Sequence, residues 1–414
     1  MSGADERSLE GMATTERQHA PAGWRVKLLQ RLLSGLTFGH LRVTLPSGAH
    51  FDIRGSEEGP EAVLVIHRWR MLWRCLAGGD IGFAESYLDH DWSSPDLTAL
   101  IRLMLRNSAA LEKSIRGARF IETFNRFRHA LRANSRKGSR KNIEFHYDLG
   151  NAFYRLWLDR SMMYSSAIWT DEQLDLEGAQ QARLERISQL LALSAGDSVL
   201  EIGCGWGALA AHLARHADAH VTGITLSPSQ LEWASTSIAT EGLSEKVALR
   251  LQDYRDLDTT FDRVVSIEML EAVGEAYLPG YFDTIAKSLK PGGIAVLQGI
   301  TIEESRFEDY RSHPDFIQKH VFPGGFLPTR TLLNQLIANA GLKLTSAETF
   351  ATSYARTLAE WHRRFLAHWP EIAALGFDAR FKRLWEYYLS YCEGGFLEGS
   401  IDVGLYVIRK PEIA

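Results

Sequence analysis

At 414 residues, 45% hydrophobic and 23% charged, the chain exceeds the ~150 residues typical of one domain and has ordinary globular composition, which excludes a disordered or fibrous protein. Three widely spaced cysteines, Cys75, Cys204 and Cys392, form no CxxC or Cys/His ligand pattern, so a disulfide framework and a structural zinc are excluded and a cytoplasmic setting is expected. The net charge of −5 hides an asymmetry: Arg102 to Lys141 holds twelve Lys and Arg against two acids, whereas residues 142–414 carry a net −12.

Residues 1–20 are polar and unpatterned, and disorder is expected there. Residues 21–110 read as a small α+β domain. Apolar spacing predicts a helix over 24–36, a hairpin over 41–53, a strand over 62–66, and helical stretches near 71–75, 82–87 and 97–105. No nucleophile, base or ligand cluster converges there, so substrate capture or packing is its expected task. Asp89-His90-Asp91-Trp92 reads as a polar loop in preference to a metal site. No apolar run reaches the ~18 residues of a membrane span, and the polar, acidic start lacks a signal-peptide pattern.

Residues 111–141 form the basic segment. Phe120, Phe124, Phe127 and Leu131 fall at helical spacing, with Arg116, Arg119, Arg126, Arg128 and Arg132 around them. Such a helix suits the surface of an anionic membrane, with a solvated linker helix as the alternative. Nucleic acid would also attract it, but the remaining chain is acidic and shows no nucleic-acid module.

Residues 142–414 are the largest unit. Phe145-His-Tyr-Asp-Leu-Gly-Asn-Ala-Phe-Tyr154 and Met162-Met-Tyr-Ser-Ser-Ala-Ile-Trp169 mix aromatic and small polar residues, as a cap over a pocket would. Ser198-Val-Leu-Glu-Ile-Gly-Cys-Gly-Trp-Gly207 follows, an apolar strand breaking into alternating glycines, and Leu209, Ala210, Leu213 and Ala214 then keep helical spacing. Strand, glycine loop and helix make a small-molecule site at a strand's carboxyl end. The pattern serves dinucleotides and S-adenosylmethionine alike; Gly-Cys-Gly-Trp-Gly departs from G-x-G-x-x-G, which favours S-adenosylmethionine. Further strands are expected at 221–225, 247–251, 261–267 and 293–298, so the domain reads as α/β with a doubly wound parallel sheet.

With Gln180-Gln-Ala-Arg-Leu, Gly223-Ile-Thr-Leu-Ser-Pro-Ser-Gln230 and Gln252-Asp-Tyr-Arg-Asp-Leu257, the chain resembles the cyclopropane-fatty-acyl-phospholipid synthase family, which includes the mycolic acid cyclopropane synthases and related fatty-acyl C-methyltransferases. The resemblance implies a class I S-adenosylmethionine methyltransferase fold with helical lid insertions. It implies transfer of a methylene group to a cis double bond of a phospholipid acyl chain, at the inner face of the membrane. C-methylation without ring closure and a non-catalytic lipid- or S-adenosylmethionine-binding protein are the alternatives, and a homodimer is left open.

By the same resemblance Gly203, Gly205 and Gly207 approach the cofactor's amino-acid portion. Thr225, Leu226 and Gln230 line its ribose and adenine side, Gln252, Asp253 and Tyr254 hold the adenine, and Tyr164 and Ser165 close the pocket. A bound bicarbonate is implied as base, in a cage matched by Glu271, Tyr354, Ser166, Gln298 and Ile300. Three positions depart from the family pattern: Ser166 stands where it has cysteine, Gln298 where it has histidine, and Ala272 where histidine follows the glutamate. Residues 316–326 resemble a lid over a lipid tunnel. The aromatic stripe over 358–396 reads as core, and 396–408 reads as terminal strands with Asp402 in a turn.

Overall fold

The computed structural model describes residues 23–111 and 149–412. The expectations for residues 1–20, for the basic helix around Phe120 to Leu131 and for the Phe145 to Asp148 stretch lie outside the described residues.

The amino-terminal unit is a four-stranded sheet, β1 (Phe38–Thr44), β2 (His50–Arg54), β3 (Glu57–Ile66) and β4 (Trp92–Ser93), in the order β2-β1-β3-β4. Leu41 and Val43 are fully buried while Arg42 between them is exposed, the alternation of a strand with one wet face. Helix Leu97–Arg106 is capped by Asp96, whose carboxylate accepts the Ala99 N–H, and buries Leu100, Ile101 and Leu103. The two helical stretches expected near 71–75 and 82–87 form one element, Arg70–Leu88, broken at Gly79, which has φ 55°. At Asp89 and Asp91 the carboxylates are engaged by arginines. Arg70 makes two 2.9 Å bonds to the buried Asp91, and Arg74 and Arg380 bond Asp89.

The larger unit is built on seven strands: β5 (Ser198–Ile202), β6 (His220–Thr225), β7 (Val247–Leu251), β8 (Phe261–Ile267), β9 (Leu289–Ile302), β10 (Lys343–Thr349) and β11 (Ile401–Arg409). Their order is β10-β11-β9-β8-β5-β6-β7. β9, β8, β5, β6 and β7 are parallel, and β11 and β10 add antiparallel edges. The strand order reverses at β5, the chain running outward through β6 and β7 and then crossing back to β8 on the other side of β5, so the crevice of a doubly wound fold opens at the carboxyl end of β5. β5 is buried on both faces, Glu201 included, which explains why Val199, Leu200 and Ile202 read as apolar without alternation.

Two carboxyl-terminal expectations are corrected. Phe396 ends helix Ala379–Leu397 instead of starting a strand, and Asp402 lies within β11 opposite Thr301. Helical spacing persists to Leu397, and Gly399, with φ 68°, makes the turn that starts the strand two residues later. Strand β10 has an exposed, polar pattern and carries no apolar alternation for the sequence to reveal.

The two units share a core. Buried residues of both units, Leu29 and Leu41 to Leu103 of the first and Phe153 to Val403 of the second among them, belong to one cluster, and helix Ala379–Leu397 is the seam. Tyr87 bonds Glu386, Thr98 bonds Glu393 and Arg102 bonds Glu398 across it. At Gly394 an added Cβ would lie 2.9 Å from Ile101 Cγ2, so only glycine permits this approach. Gly394→Val is expected to lower the thermal midpoint by an amount matching about 1–3 kcal/mol of overpacking. The measurement is a thermal melt; an unchanged midpoint would show that the seam yields freely.

Candidate active site

Gly203, Gly205 and Gly207 all take positive φ, 82°, 52° and 87°, which explains their alternation. The Ile224 carbonyl accepts both the Gly203 and Cys204 N–H groups at 3.0 Å and ties the loop to β6. Helix Ala208–His216 begins directly behind it. The loop borders a cavity of about 100 Å³ lined by Gly203, Gly205, Thr225, Leu226, Gln230, Gln252 and Tyr254, with Ile202, Ile224, Ile267 and Met269. A Cβ on Gly205 would meet no atom within 4 Å, so open space faces this residue at the cavity edge. Thr225 donates to Gln230 Oε1 at 3.0 Å, holding one wall. These groups fit S-adenosylmethionine: close backbone, polar edges and apolar sides.

A second cavity, of about 530 Å³, lies on the other side of the β8 and β9 carboxyl ends. Ile300, Ile302, Phe322, Phe326, Leu358, Tyr388 and Phe396 give it apolar walls, while Asp80, Leu105, Ser108 and Ala109 come from the amino-terminal unit. The 316–326 stretch contributes Ile317, Gln318, Phe322, Pro323, Gly325 and Phe326. Along 358–396 the outcome is divided. Trp361, Phe365 and Trp385 are core, whereas Leu358, Tyr388, Tyr391 and Phe396 face the cavity.

The cavities meet at Glu268 and Ala272, which line both. Glu268 follows β8 with φ 49°, a left-handed backbone rare for a side chain of this kind, held by its N–H donating to the Gln298 carbonyl at 2.8 Å. Its carboxylate is gripped from three elements. The Ser166 N–H donates to Oε1 at 2.8 Å, Gln298 Nε2 to the same oxygen at 2.7 Å, and the Tyr354 hydroxyl to Oε2 at 2.7 Å. Burial raises the Glu268 carboxyl above its ordinary range, while these donors and the Arg183 charge pull against it. Tyr354 is held well above the ordinary phenol range by burial and by the Glu268 charge, so it stays a donor.

Glu271, one short turn further on, accepts the Ile300 N–H on Oε1 at 2.6 Å, and its buried Oε2 has no partner among the described residues. Burial and the Glu268 charge push its carboxyl up to about 8. Near neutrality the pair therefore carries its negative charge on Glu268, where the donors are, and its proton on Glu271. The cap segment is pinned over them by helix Ala351–Ala367: Thr357 Oγ1 accepts the Ala167 N–H and Trp169 Nε1–H, and Ser353 Oγ accepts the Trp169 N–H.

The structure gathers Ser166, Gln298, Tyr354, Glu271 and Ile300 into one cluster. Ser166 takes part through its backbone, because its hydroxyl donates to the Ala167 carbonyl. Gly207 caps the following helix and borders neither cavity. Asp253 turns its carboxylate to Arg255, at 2.8 and 2.6 Å. Tyr164 faces the larger cavity and shares a 2.9 Å bond with Tyr388, and Ser165 is buried against Arg183 at 2.5 Å. Sequence reading passed over Glu268, Ala272's place at the junction, and Arg183, a buried guanidinium inside the quoted Gln-Gln-Ala-Arg-Leu motif. The signal for Glu268 was the second carboxylate in Glu268-Met-Leu-Glu271.

Residues 134–405 match the family described as mycolic acid cyclopropane synthetase. The chain is 38% identical to the tuberculostearic acid methyltransferase UfaA1 of Mycobacterium tuberculosis, over 82% of this chain and 81% of that one. It is 40% identical to the cyclopropane-fatty-acyl-phospholipid synthase of Escherichia coli K12, over 81% and 85%. Among solved structures it resembles the cyclopropane synthase MmaA2 of M. tuberculosis, with TM-score 0.62 and 30% identity, covering 66% of this chain and 98% of that one. The mycolic acid cyclopropane synthase CmaA1 complexed with S-adenosylhomocysteine and CTAB matches with TM-score 0.62, 28% identity and the same coverage.

Because the fold holds the Glu271 proton up to about pH 8 and the unfolded chain releases it near its ordinary pKa, this group's stabilisation is complete below that range and is lost as pH rises toward 8. Glu201, also pushed to about 8 by burial, acts in the same window. In Glu271→Gln the fall of thermal midpoint between pH 5 and 8 should therefore be shallower than in the native chain, not absent. Parallel slopes in melts across that range would contradict the assignment of the proton.

Proposed function

Since this chain belongs to the mycolic acid cyclopropane synthetase family, we propose that it transfers a methylene group from S-adenosylmethionine to a cis double bond in a phospholipid acyl chain, giving a cyclopropane fatty acid. It is an S-adenosylmethionine-dependent methyltransferase. The observation that carries the substrate assignment is the meeting of a glycine-loop cavity and a large, mostly apolar cavity at Glu268 and Ala272.

S-adenosylmethionine supplies an electrophilic methyl group, strong enough for attack by a weakly nucleophilic alkene. Gly203 and Gly205 let the backbone approach it, and Thr225, Leu226, Gln230, Gln252 and Tyr254 are the residues assigned to hold it. Asp253, with Gly207, supports the frame of that pocket. On the acyl side Ile300, Phe322 and Leu358 exclude water, and Tyr164, Tyr388 and Phe396 offer ring faces to positive charge developing on the substrate. Alanine at 272 leaves room at the junction for the two reacting carbons.

Methyl transfer without ring closure is the second reading, favoured by the 38% identity to a tuberculostearic acid methyltransferase over four fifths of the chain. Expression in cells rich in monounsaturated phospholipid, followed by mass analysis of their fatty acids, separates the two. A gain of one CH2 with loss of the double bond is expected; the same gain with the double bond kept supports methylation, and unchanged fatty acids refute both.

No helix among the described residues is long and apolar enough to cross a membrane. The substrate is instead reached from the surface, with the basic segment as the docking element, in the cytoplasm at the inner leaflet. Replacing Arg126, Arg128 and Arg132 by Gln should weaken binding to anionic vesicles, more so at low salt. Unchanged vesicle affinity would return the segment to a linker role.

A further inference from the structure

We infer that the carboxylate of Glu268 is the base of the reaction, occupying the cage that the resemblance assigns to bicarbonate. The inference rests on the acyl-transfer reading above and names the group that completes it.

The residues present do not fit a bound bicarbonate. Of the cage donors, the Ser166 N–H, the Gln298 amide and the Tyr354 hydroxyl all bond Glu268, at 2.7 to 2.8 Å. The remaining one, the Ile300 N–H, bonds Glu271 at 2.6 Å. Among the described residues a further anion would find the four cage donors already taken, with the Glu271 carboxyl as the one group left to meet it, and would sit against an existing negative charge. A carboxylate presents the same planar pair of oxygens and the same single charge as bicarbonate, so the cage is filled by a chemical equivalent from within the chain.

Position supports the same conclusion. Glu268 lines both cavities, at the point where carbon must pass from one to the other. Its backbone, at φ 49°, is a conformation that costs about 1–2 kcal/mol for a non-glycine residue and persists where surrounding bonds hold it. Among the described residues Oε2 accepts only the Tyr354 hydroxyl, which leaves lone-pair capacity toward the substrate. Glu271 beside it receives one backbone N–H among the described residues, and burial with the Glu268 charge pushes its carboxyl up to about 8, which favours its keeping a proton.

In the step assigned to Glu268, the methyl carbon–sulfur bond has broken with its electron pair left on sulfur. The alkene π pair has formed the first new carbon–carbon bond, and the adjacent acyl carbon carries the positive charge. A Glu268 oxygen takes a proton from the transferred carbon, and the freed C–H electron pair closes the three-membered ring. The product is neutral, and the proton on Glu268 passes to solvent before the next turnover. Removal of a proton from a neighbouring acyl carbon by the same oxygen would instead leave a methyl branch and a double bond.

The test uses the purified full chain, dioleoyl phosphatidylglycerol vesicles and S-adenosylmethionine in carbon dioxide-free buffer. Native turnover is expected to be the same with and without added bicarbonate. Glu268→Gln should lower kcat by about 100-fold or more, with the thermal midpoint and the S-adenosylmethionine Kd little changed, which a purely structural role would not produce. Glu268→Gly, which frees three donors, should bind bicarbonate by calorimetry where the native chain does not, and should recover part of its turnover when bicarbonate is added. Native turnover that needs bicarbonate, bicarbonate binding by the native chain, or Glu268→Gln with near-native kcat would each overturn the assignment while leaving the acyl-transfer reading intact. Absence of any product from the native chain would overturn that reading, and the base assignment with it.

Discussion

Two half-buried carboxyl groups three residues apart, Glu268 and Glu271, repel each other when both are charged, and much of the surrounding structure serves to decide which one carries the charge. The donors are unevenly distributed. Three reach Glu268, from the cap segment, β9 and helix Ala351–Ala367, while Glu271 receives a single backbone N–H. The buried Arg183 adds its field to the same side. Charge therefore settles at the junction of the two cavities, and the neutral acid lies beside it.

That arrangement needs elements distant in the chain to hold still together. β8 delivers the carboxylates at a sheet end, β9 delivers Gln298 and Ile300, and Thr357 and Ser353 pin the cap segment so that its Ser166 N–H points inward. The amino-terminal unit takes part indirectly. By sharing a core with helix Ala379–Leu397 it braces the element that presents Tyr388 and Phe396 to the larger cavity, and it adds a stretch of wall through Leu105 and Ala109. A small α+β unit without catalytic groups thus acts through packing and by enclosing the acyl side.

Much of the fold was legible because its signals are local. β5, with two buried faces, shows Val199, Leu200 and Ile202 without polar alternation; the alternating glycines answer a backbone demand; the hairpin and the capped helix near Asp96 carry their own patterns. Elements without a local signal escaped. β10 is exposed and polar, and the helix through Phe396 merges into β11 across a turn that only the geometry at Gly399 reveals. The cofactor pocket was legible in part for the same reason. Gly203 and Gly205 follow a strand end, and Thr225, Leu226, Gln230, Gln252 and Tyr254, which the family resemblance named, converge with them on one cavity, whereas Asp253 and Ser165 turned to arginine partners whose reach no spacing rule specifies.

By itself the amino-acid sequence determined the parallel sheet and the glycine-loop site, because strand ends and their loops are encoded in contiguous residues, and its resemblance to the family named the cluster of Ser166, Glu271, Gln298, Tyr354 and Ile300. Only the tertiary structure decided what fills that cluster. Glu268 and Glu271 are equal in the sequence as acidic side chains on one short loop. A left-handed turn at Glu268 and three donors from remote segments separate them, and both are products of packing across more than a hundred residues of chain.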